Sequence, residues 1–178
     1  LEKHQGTYTT QAQNKYYNRK LELLLHECEY LAACAYLKGY SYPHALFERI
    51  WKEVLLYQFH DILPGSSVKR VYDESTMRYK EMMAELEDVI NNSIRYLSDD
   101  SHGKSCINAA PFARTEFFKV DSHWYSAEIK GYSSAPLKGV VADFPVSCGK
   151  DYIENDCLKA KFSKTGYIVS LFDKINNR

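Results

Sequence analysis

The stretch Arg19-Lys20-Leu21-Glu22-Leu23-Leu24-Leu25-His26-Glu27-Cys28-Glu29-Tyr30-Leu31-Ala32-Ala33-Cys34-Ala35 decides how the first half of the chain is read. Leu21, Leu24, Leu25, Cys28, Leu31, Ala32 and Ala35 recur at i, i+3, i+4, i+7 spacing, with Arg19, Lys20, Glu22 and Glu29 between them. That period puts the apolar side chains on one stripe of an α-helix. Lys38-Gly39 supplies a C-terminal stop, and Pro43 suits the start of a second helix. From His44 to Phe59 the apolar residues are Phe47, Ile50, Trp51, Val54 and Leu55, with Leu46, Leu56, Tyr57 and Phe59 on other faces. A helix apolar on most sides is expected to be buried. Pro64-Gly65 interrupts it, and Ser66 or Ser67 is placed to cap a third helix. That helix carries Val68, Val71, Tyr72, Tyr79, Met82, Met83, Leu86, Val89, Ile90 and Leu97 along one stripe of ordinary core. Three amphipathic helices with short connections predict an antiparallel three-helix bundle.

Beyond it the spacing changes. Residues 98–105 are polar and turn-prone and read as a linker, with Asp99-Asp100 solvated. Cys106-Ile107-Asn108 and Thr115 to Val120 read as strands. Leu158, Ala160 and Phe162 alternate with Lys159, Lys161 and Ser163, the pattern of a half-buried strand. Lys164-Thr165-Gly166 then turns the chain, and Tyr167, Val169 and Leu171 alternate again, which is a hairpin signal. The fold class expected is α+β: a three-helix bundle followed by the beginning of an antiparallel β-sandwich domain. The expected divisions are 1–12, 13–98 for the helices, 99–105 for the linker and 106–178 for the β-rich part. These strands are too few to close a sandwich, and open edges are a liability. With Leu1 in place of Met, the chain reads as a piece of a longer protein.

The 178 residues are enough for one or two real cores. Lys and Arg total 23, and Asp and Glu total 23, so the long-range field of a general nucleic-acid binder is absent. No apolar run approaches the ~18 residues that a membrane span needs. The five cysteines, Cys28, Cys34, Cys106, Cys148 and Cys157, form no C-x-x-C pair, which excludes a zinc knuckle or a thioredoxin-type motif. Cys28 and Cys34 fall in the helical stripe and are expected to pack as small hydrophobes. A cytoplasmic, reducing compartment fits this usage better than secretion.

Chemistry concentrates in Gln58-Phe59-His60-Asp61-Ile62-Leu63-Pro64-Gly65-Ser66-Ser67, where a His beside an Asp meets a helix end and a Pro-Gly break. His60 can be a metal ligand, with Asp61 pointing to a neighbouring ligand. His60 can equally be a satisfied core histidine, with Asp61 serving only the turn. Elsewhere, Glu81, Glu85, Glu87 and Asp88 read as a solvent face, and His123-Trp124-Tyr125 as buried in the β-rich part rather than lining a sugar surface.

Trp51 to Ser66, with its Gln58-Phe59-His60-Asp61 run, closely resembles glycoside hydrolase family 38, the retaining α-mannosidases, in which a "QFHD" or "HHD" run precedes a short loop and a long helix. His4-Gln5-Gly6-Thr7-Tyr8-Thr9-Thr10-Gln11 is similar to the family's "HRGTYTTQ" run, where the catalytic barrel hands over to the helical middle domain. Asn108 to Val120 is similar to the "FN-x-x-x-x-x-R" start of the C-terminal β-domain. Ile153-Glu154-Asn155 through Asp173-Lys174 is similar to its "LEN…G-x-I-x-SLYDK" strand pair. The matches keep the family's order and leave 121–152 as the least similar stretch.

The resemblance implies that His60 is one ligand of an active-site zinc and that Asp61 hydrogen-bonds hydroxyls of the mannose beside it. His4 and Tyr8 fall in a segment bordering that pocket and receive no role. Gln5 stands where the family usually has Arg, which removes the basis for an Arg salt bridge or substrate contact there. The family's other zinc ligands, a His-x-Asp motif and the nucleophilic carboxylate, have no counterpart here: none of the six histidines is followed two places on by Asp. A retaining glycosidase needs two carboxyls about 5–5.5 Å apart, and zinc sites take three or four protein ligands. The expectation is therefore a piece of a zinc-dependent retaining α-mannosidase acting on terminal α-mannosyl linkages of an α-mannoside or oligosaccharide. It would hold no catalytic residue of its own, pack against an absent catalytic barrel and be inactive alone. A homo-oligomer is left open. The alternative is a non-catalytic helical carbohydrate-binding or protein-interaction module, since fold does not imply function.

Overall fold

The computed structural model describes residues 2–98, 103–139 and 146–178, with side chains from Gln5 onward. The linker expected at 99–105 lies partly outside the described residues, as do Asp99, Asp100 and the side chain of His4. After a short 3-10 helix, Glu2–Tyr8, come α1 (Ala12–Tyr36), α2 (His44–Tyr57) and α3 (Lys69–Leu97). The chain divides into two compact units. The first holds residues 1–114 and 128–136, and the second 115–127 and 137–178.

In the first unit the α1 stripe does what its period requires. Leu21, Leu25, Cys28 and Ala32 are buried against Phe47, Ile50 and Val54 of α2 and Tyr79, Met82, Leu86 and Val89 of α3. The Cys28 thiol donates to the Leu86 carbonyl at 3.2 Å, and burial pushes it up to about 12, so it packs as an inert small group. Gly39, with φ +95, ends the first helix where Lys38-Gly39 was expected to. Trp51 Nε1 donates to Glu29 Oε1 at 2.9 Å, tying α2 to α1 on the rim of that core.

Three expectations for the helices change. The α2 helix buries only Phe47, Ile50 and Val54, whereas Leu55 and Leu56 are 58% and 61% exposed. Fourteen residues lie along two neighbours on one side, so the apolar positions about 100° and 200° round the helix from that seam face outward. Neither Ser66 nor Ser67 caps α3. Both hydroxyls donate to the Asp61 carbonyl instead, and the helix begins after Val68 with no side-chain cap. Val68, set before the helix, is exposed rather than part of the stripe.

The β strands are β1 (Ser105–Asn108), β2 (Arg114–Val120), β3 (His123–Ile129), β4 (Ser133–Pro136), β5 (Lys138–Gly139), β6 (Ser147–Cys148), β7 (Tyr152–Glu154), β8 (Leu158–Phe162) and β9 (Ile168–Asp173). They form three sheets, ordered β1-β4, β2-β3-β5 and β6-β7-β8-β9. The α+β class expected from the spacing is the one observed. β1 and β4 are antiparallel and belong to the first unit. There Asn108 is fully buried, donating to the Phe112 and Lys130 carbonyls at 2.8 and 3.0 Å and accepting from the Ala110 amide at 3.0 Å. Asp121 and Ser122, between β2 and β3, both have positive φ, the signature of a type I′ hairpin turn.

In the second unit the β8–β9 hairpin forms as its alternation predicts, pairing Leu158 with Asp173 and Ala160 with Leu171. Its expected half-burial holds for Ala160 and Phe162 and not for Leu158, and Tyr167, Val169 and Leu171 of the second arm are exposed. Alternation sets which side chains share a face, but it does not set what covers that face. Trp124 is likewise exposed, not buried as expected. Glu154 holds the sheet's corner, with its two oxygens each 2.7 Å from Lys159 Nζ and Lys174 Nζ.

Leu25→Ala is expected to destabilise the helical unit by about 2–5 kcal/mol, because it opens a cavity in a filled core; urea unfolding followed by circular dichroism measures it. Hydrogen bonds from Lys159 and then Lys174 bring the Glu154 carboxyl down to about 2. A depressed carboxylate stabilises fully above its unfolded value, about 4.3, and loses that contribution as pH falls. Protection of the β7–β9 amides, taken relative to their intrinsic exchange rate at each pH, should therefore fall between about pH 5 and pH 2. In Glu154→Gln that part of the pH dependence should flatten.

Candidate functional site

The α2 helix closes with Gln58 donating its amide to the carbonyls of Val54 and Leu55, and Phe59 donating to Leu56. The chain then folds tightly on itself: Ile62 and Leu63 amides both reach the Phe59 carbonyl, at 2.9 and 3.1 Å, and Gly65 reaches Ile62 at 3.1 Å. Pro64 has no amide to donate, so the helix cannot resume. At the crest stand His60 and Asp61, with side chains 79% and 59% exposed and Nε2 3.7 Å from Oδ2. The Phe59 ring lies 4.2 Å from the imidazole, centre to centre. His60 is therefore not a satisfied core histidine, and the Asp61 carboxylate is presented outward; it is the Asp61 carbonyl that serves the turn.

What holds this crest is the backbone beneath it. The Asp61 carbonyl accepts from Ser67 Oγ at 2.7 Å and Ser66 Oγ at 3.3 Å. The Tyr72 hydroxyl reaches the carbonyls of Ile62 at 3.2 Å and Asp61 at 3.4 Å, and accepts from the Ser67 amide at 2.8 Å. Lys15 Nζ donates to Leu63 at 2.8 Å and to Thr10 at 2.6 Å. Burial lowers the Lys15 ammonium below its ordinary range, as expected for a cation taken partly out of water to serve carbonyls. Asn14, itself buried, reaches Ile62 at 3.5 Å and accepts from Ser75 Oγ at 3.2 Å. Gln58 Nε2 donates to Asn18 Oδ1 and Glu22 Oε1 at 3.1 and 2.9 Å.

The base of α2 is fixed just as firmly. Arg78 donates twice to Glu53, at 2.7 and 2.8 Å, and also pairs with Glu81. The guanidinium holds the Glu53 carboxyl below the usual range. Tyr57 donates to Glu53 at 3.2 Å, and burial, then the Glu53 charge, pushes its hydroxyl up to about 12. Tyr57, one residue before the crest begins, is thereby locked to α3.

Two of the sequence segments singled out meet here. The run containing Tyr8 leads into Thr9 and Thr10, and Thr10 lies against Gly65. Tyr8 itself is exposed, as is Gln5, and neither engages the crest. Among the described residues no group of three or more His, Cys, Asp or Glu could hold a metal ion. His60 with Asp61 offers a partial donor set, short of the three or four ligands zinc takes. The residues that sequence reasoning missed are Asn14, Lys15, Asn18, Glu22 and Tyr72. Asn14, Asn18 and Glu22 do recur at i, i+4, i+8, but polar residues at that spacing read as a solvent face.

A family model described as "Alpha mannosidase middle domain" matches residues 2–97. Alpha-mannosidase 2C1 of Mus musculus is 28% identical over 192 residues, an alignment covering 96% of this chain and 18% of that protein. An alpha-mannosidase of Saccharomyces cerevisiae is 38% identical over 105 residues, covering 57% of this chain and 10% of the relative. The crystal structure of an alpha-mannosidase from Enterococcus faecalis V583 superposes with a TM-score of 0.74 at 16% identity, over 97% of this chain and 29% of that one. The last comparison bears on the fold alone. The chain thus spans under a third of the length of each relative named here.

Gly65 has φ +95, and a Cβ there would sit 2.7 Å from Thr10 Cγ2 and 2.9 Å from the Thr10 carbonyl oxygen. Gly65→Ala is expected to cost about 1–3 kcal/mol from the backbone conformation alone, before the clash with Thr10 backbone is counted. A chemical-denaturation midpoint unchanged from the parent would contradict this.

Proposed function

The chain belongs to the alpha mannosidase middle domain family, and from that premise we propose that it is a segment of a zinc-dependent retaining α-mannosidase acting on terminal α-mannosyl linkages. His60 is proposed as one zinc ligand, and Asp61 as the group that hydrogen-bonds hydroxyls of the bound mannose. The remaining zinc ligands, the nucleophile and the general acid/base would come from outside residues 1–178. The observation that carries this is the exposed imidazole–carboxylate pair raised on a crest whose backbone is bonded from three sides.

What this chain's own residues do follows from their placement. Asp61 can accept hydrogen bonds from sugar hydroxyls without first breaking a partner, because its carboxylate faces solvent while its carbonyl takes the hydroxyls of Ser66 and Ser67. A charged acceptor to a neutral hydroxyl is among the stronger hydrogen bonds. His60 presents Nε2 on the same side. Holding both in place before substrate arrives lowers the entropic cost of binding. The exposed α2 residues Leu55 and Leu56, a turn before the crest, are proposed as part of the surface that packs against the catalytic barrel. All five cysteines are free, which supports the cytoplasm as the compartment. No described helix is long and apolar enough to cross a membrane.

The test has two arms. The 178-residue chain, supplied with zinc, should neither hydrolyse an aryl α-mannoside nor bind zinc stoichiometrically by titration calorimetry. In the complete enzyme, His60→Ala should abolish zinc-dependent activity and leave the far-ultraviolet circular dichroism unchanged. Turnover by the chain alone, or full activity in His60→Ala, would sink the proposal.

A further inference from the structure

We infer that Tyr72 and Lys15 are positioning residues for the His60–Asp61 pair, acting through the backbone of the crest and not by touching a ligand. This rests on the reading of His60 and Asp61 as site residues. The pair cannot hold itself: at 3.7 Å and largely in water, an imidazole–carboxylate contact restrains little. Its placement comes from below. Tyr72 is 6% exposed, and its ring is anchored in the first turn of α3 while its hydroxyl meets three backbone groups of the crest: the Asp61 and Ile62 carbonyls and the Ser67 amide. One hydroxyl thus ties the residue bearing the carboxylate to the point where the chain leaves the crest. Lys15 closes the other side. From the first turns of α1 it bridges the Leu63 carbonyl to the Thr10 carbonyl, which itself lies 2.9 Å from where a side chain on Gly65 would begin. The two residues approach from different helices, so the crest is held between α1 and α3 and moves only if one of them lets go. Neither side chain reaches past the backbone to His60 or Asp61, which separates positioning from binding.

Tyr72→Phe keeps the ring and removes only the hydroxyl, and Lys15→Met keeps the stem and removes the charge. In the 178-residue chain, hydrogen exchange across 61–67 should accelerate about tenfold in each, the scale of losing one hydrogen bond to a part-buried backbone group, while amides near Met82 and Leu86 keep their protection. In the complete enzyme at saturating zinc, KM for an aryl α-mannoside should rise about tenfold with kcat little changed, because Asp61 is taken to bind the sugar and not to react with it and excess metal offsets a loosened His60. A purely structural role would lower the melting temperature and leave KM alone, and that result overturns the inference. Unchanged exchange across 61–67 overturns it as well. Asp61→Ala is the control for the premise: unaltered KM in that variant overturns the site reading and the positioning role together. If Tyr72→Phe fails to fold, Lys15→Met carries the same comparison.

Discussion

Three carbonyls, those of Asp61, Ile62 and Leu63, have no strand or helix to bond to, and the chain must satisfy them elsewhere. Asp61 is exposed and Ile62 and Leu63 are half-buried, so each bond these carbonyls accept contributes about 0.5–1.5 kcal/mol rather than the full cost of a buried group left unbonded. The solution takes hydroxyls from Ser66, Ser67 and Tyr72, an amide from Asn14 and an ammonium from Lys15. Those donors sit on α1, on α3 and on the chain leading into it. The connection between α2 and α3 is therefore bonded to the two helices flanking it, and its crest inherits their rigidity. The same requirement explains why α3 starts without a side-chain cap: the two serines placed to cap it are committed to Asp61.

The α1 helix consequently has one buried stripe whose two parts have different jobs. Leu21, Leu25, Cys28 and Ala32 fill the core. Asn14 and Asn18, nearer its start, are buried as polar groups and stay so because each is hydrogen-bonded, Asn14 to Ser75 and Ile62, Asn18 to Gln58 and Glu22. Apolar residues at those two positions would leave the Gln58 amide with Glu22 and without Asn18, and would weaken the hold on Ile62. The helix is thus a packing element along its middle and a template for the crest at its N-terminal end, where Thr10 and Lys15 also act.

The helices were legible because their period is long and their core side chains are unambiguous. Of the strands, β1, β2 and the β8–β9 hairpin were legible and β3 to β6 were not, and the burial of the hairpin's second arm was not, because Tyr167, Val169 and Leu171 fix a face without fixing what covers it. The Asp121-Ser122 turn escaped notice because a type I′ turn usually announces itself with Asn-Gly or Asp-Gly, and Ser at φ 67 does not. The His60–Asp61 pair was legible as a motif, and its neighbours were not. Lys15 reads as one more charge on a solvent face. Tyr72 reads as one more member of an apolar stripe, which describes its ring and hides the hydroxyl that does the bonding. Sequence period reports where a side chain's bulk goes, and a site's support is made of the polar atoms at its tips.

That division of labour bears on why the pair can be so exposed. A side chain that binds a polyhydroxylated ligand must keep its lone pairs free, so it cannot be fixed by bonds to its own functional atoms. In the role proposed for it, burying Asp61 against a cation would fix it and would also occupy the oxygens a sugar would need. Here its carbonyl and carboxylate have separate tasks: the carbonyl accepts from the two serines and Tyr72, and the carboxylate lies 3.7 Å from the imidazole beside it. Rigidity is supplied through the main chain, and reactivity toward a ligand is left at the side chain. Exposure at the crest and close bonding beneath it are thus two consequences of one arrangement.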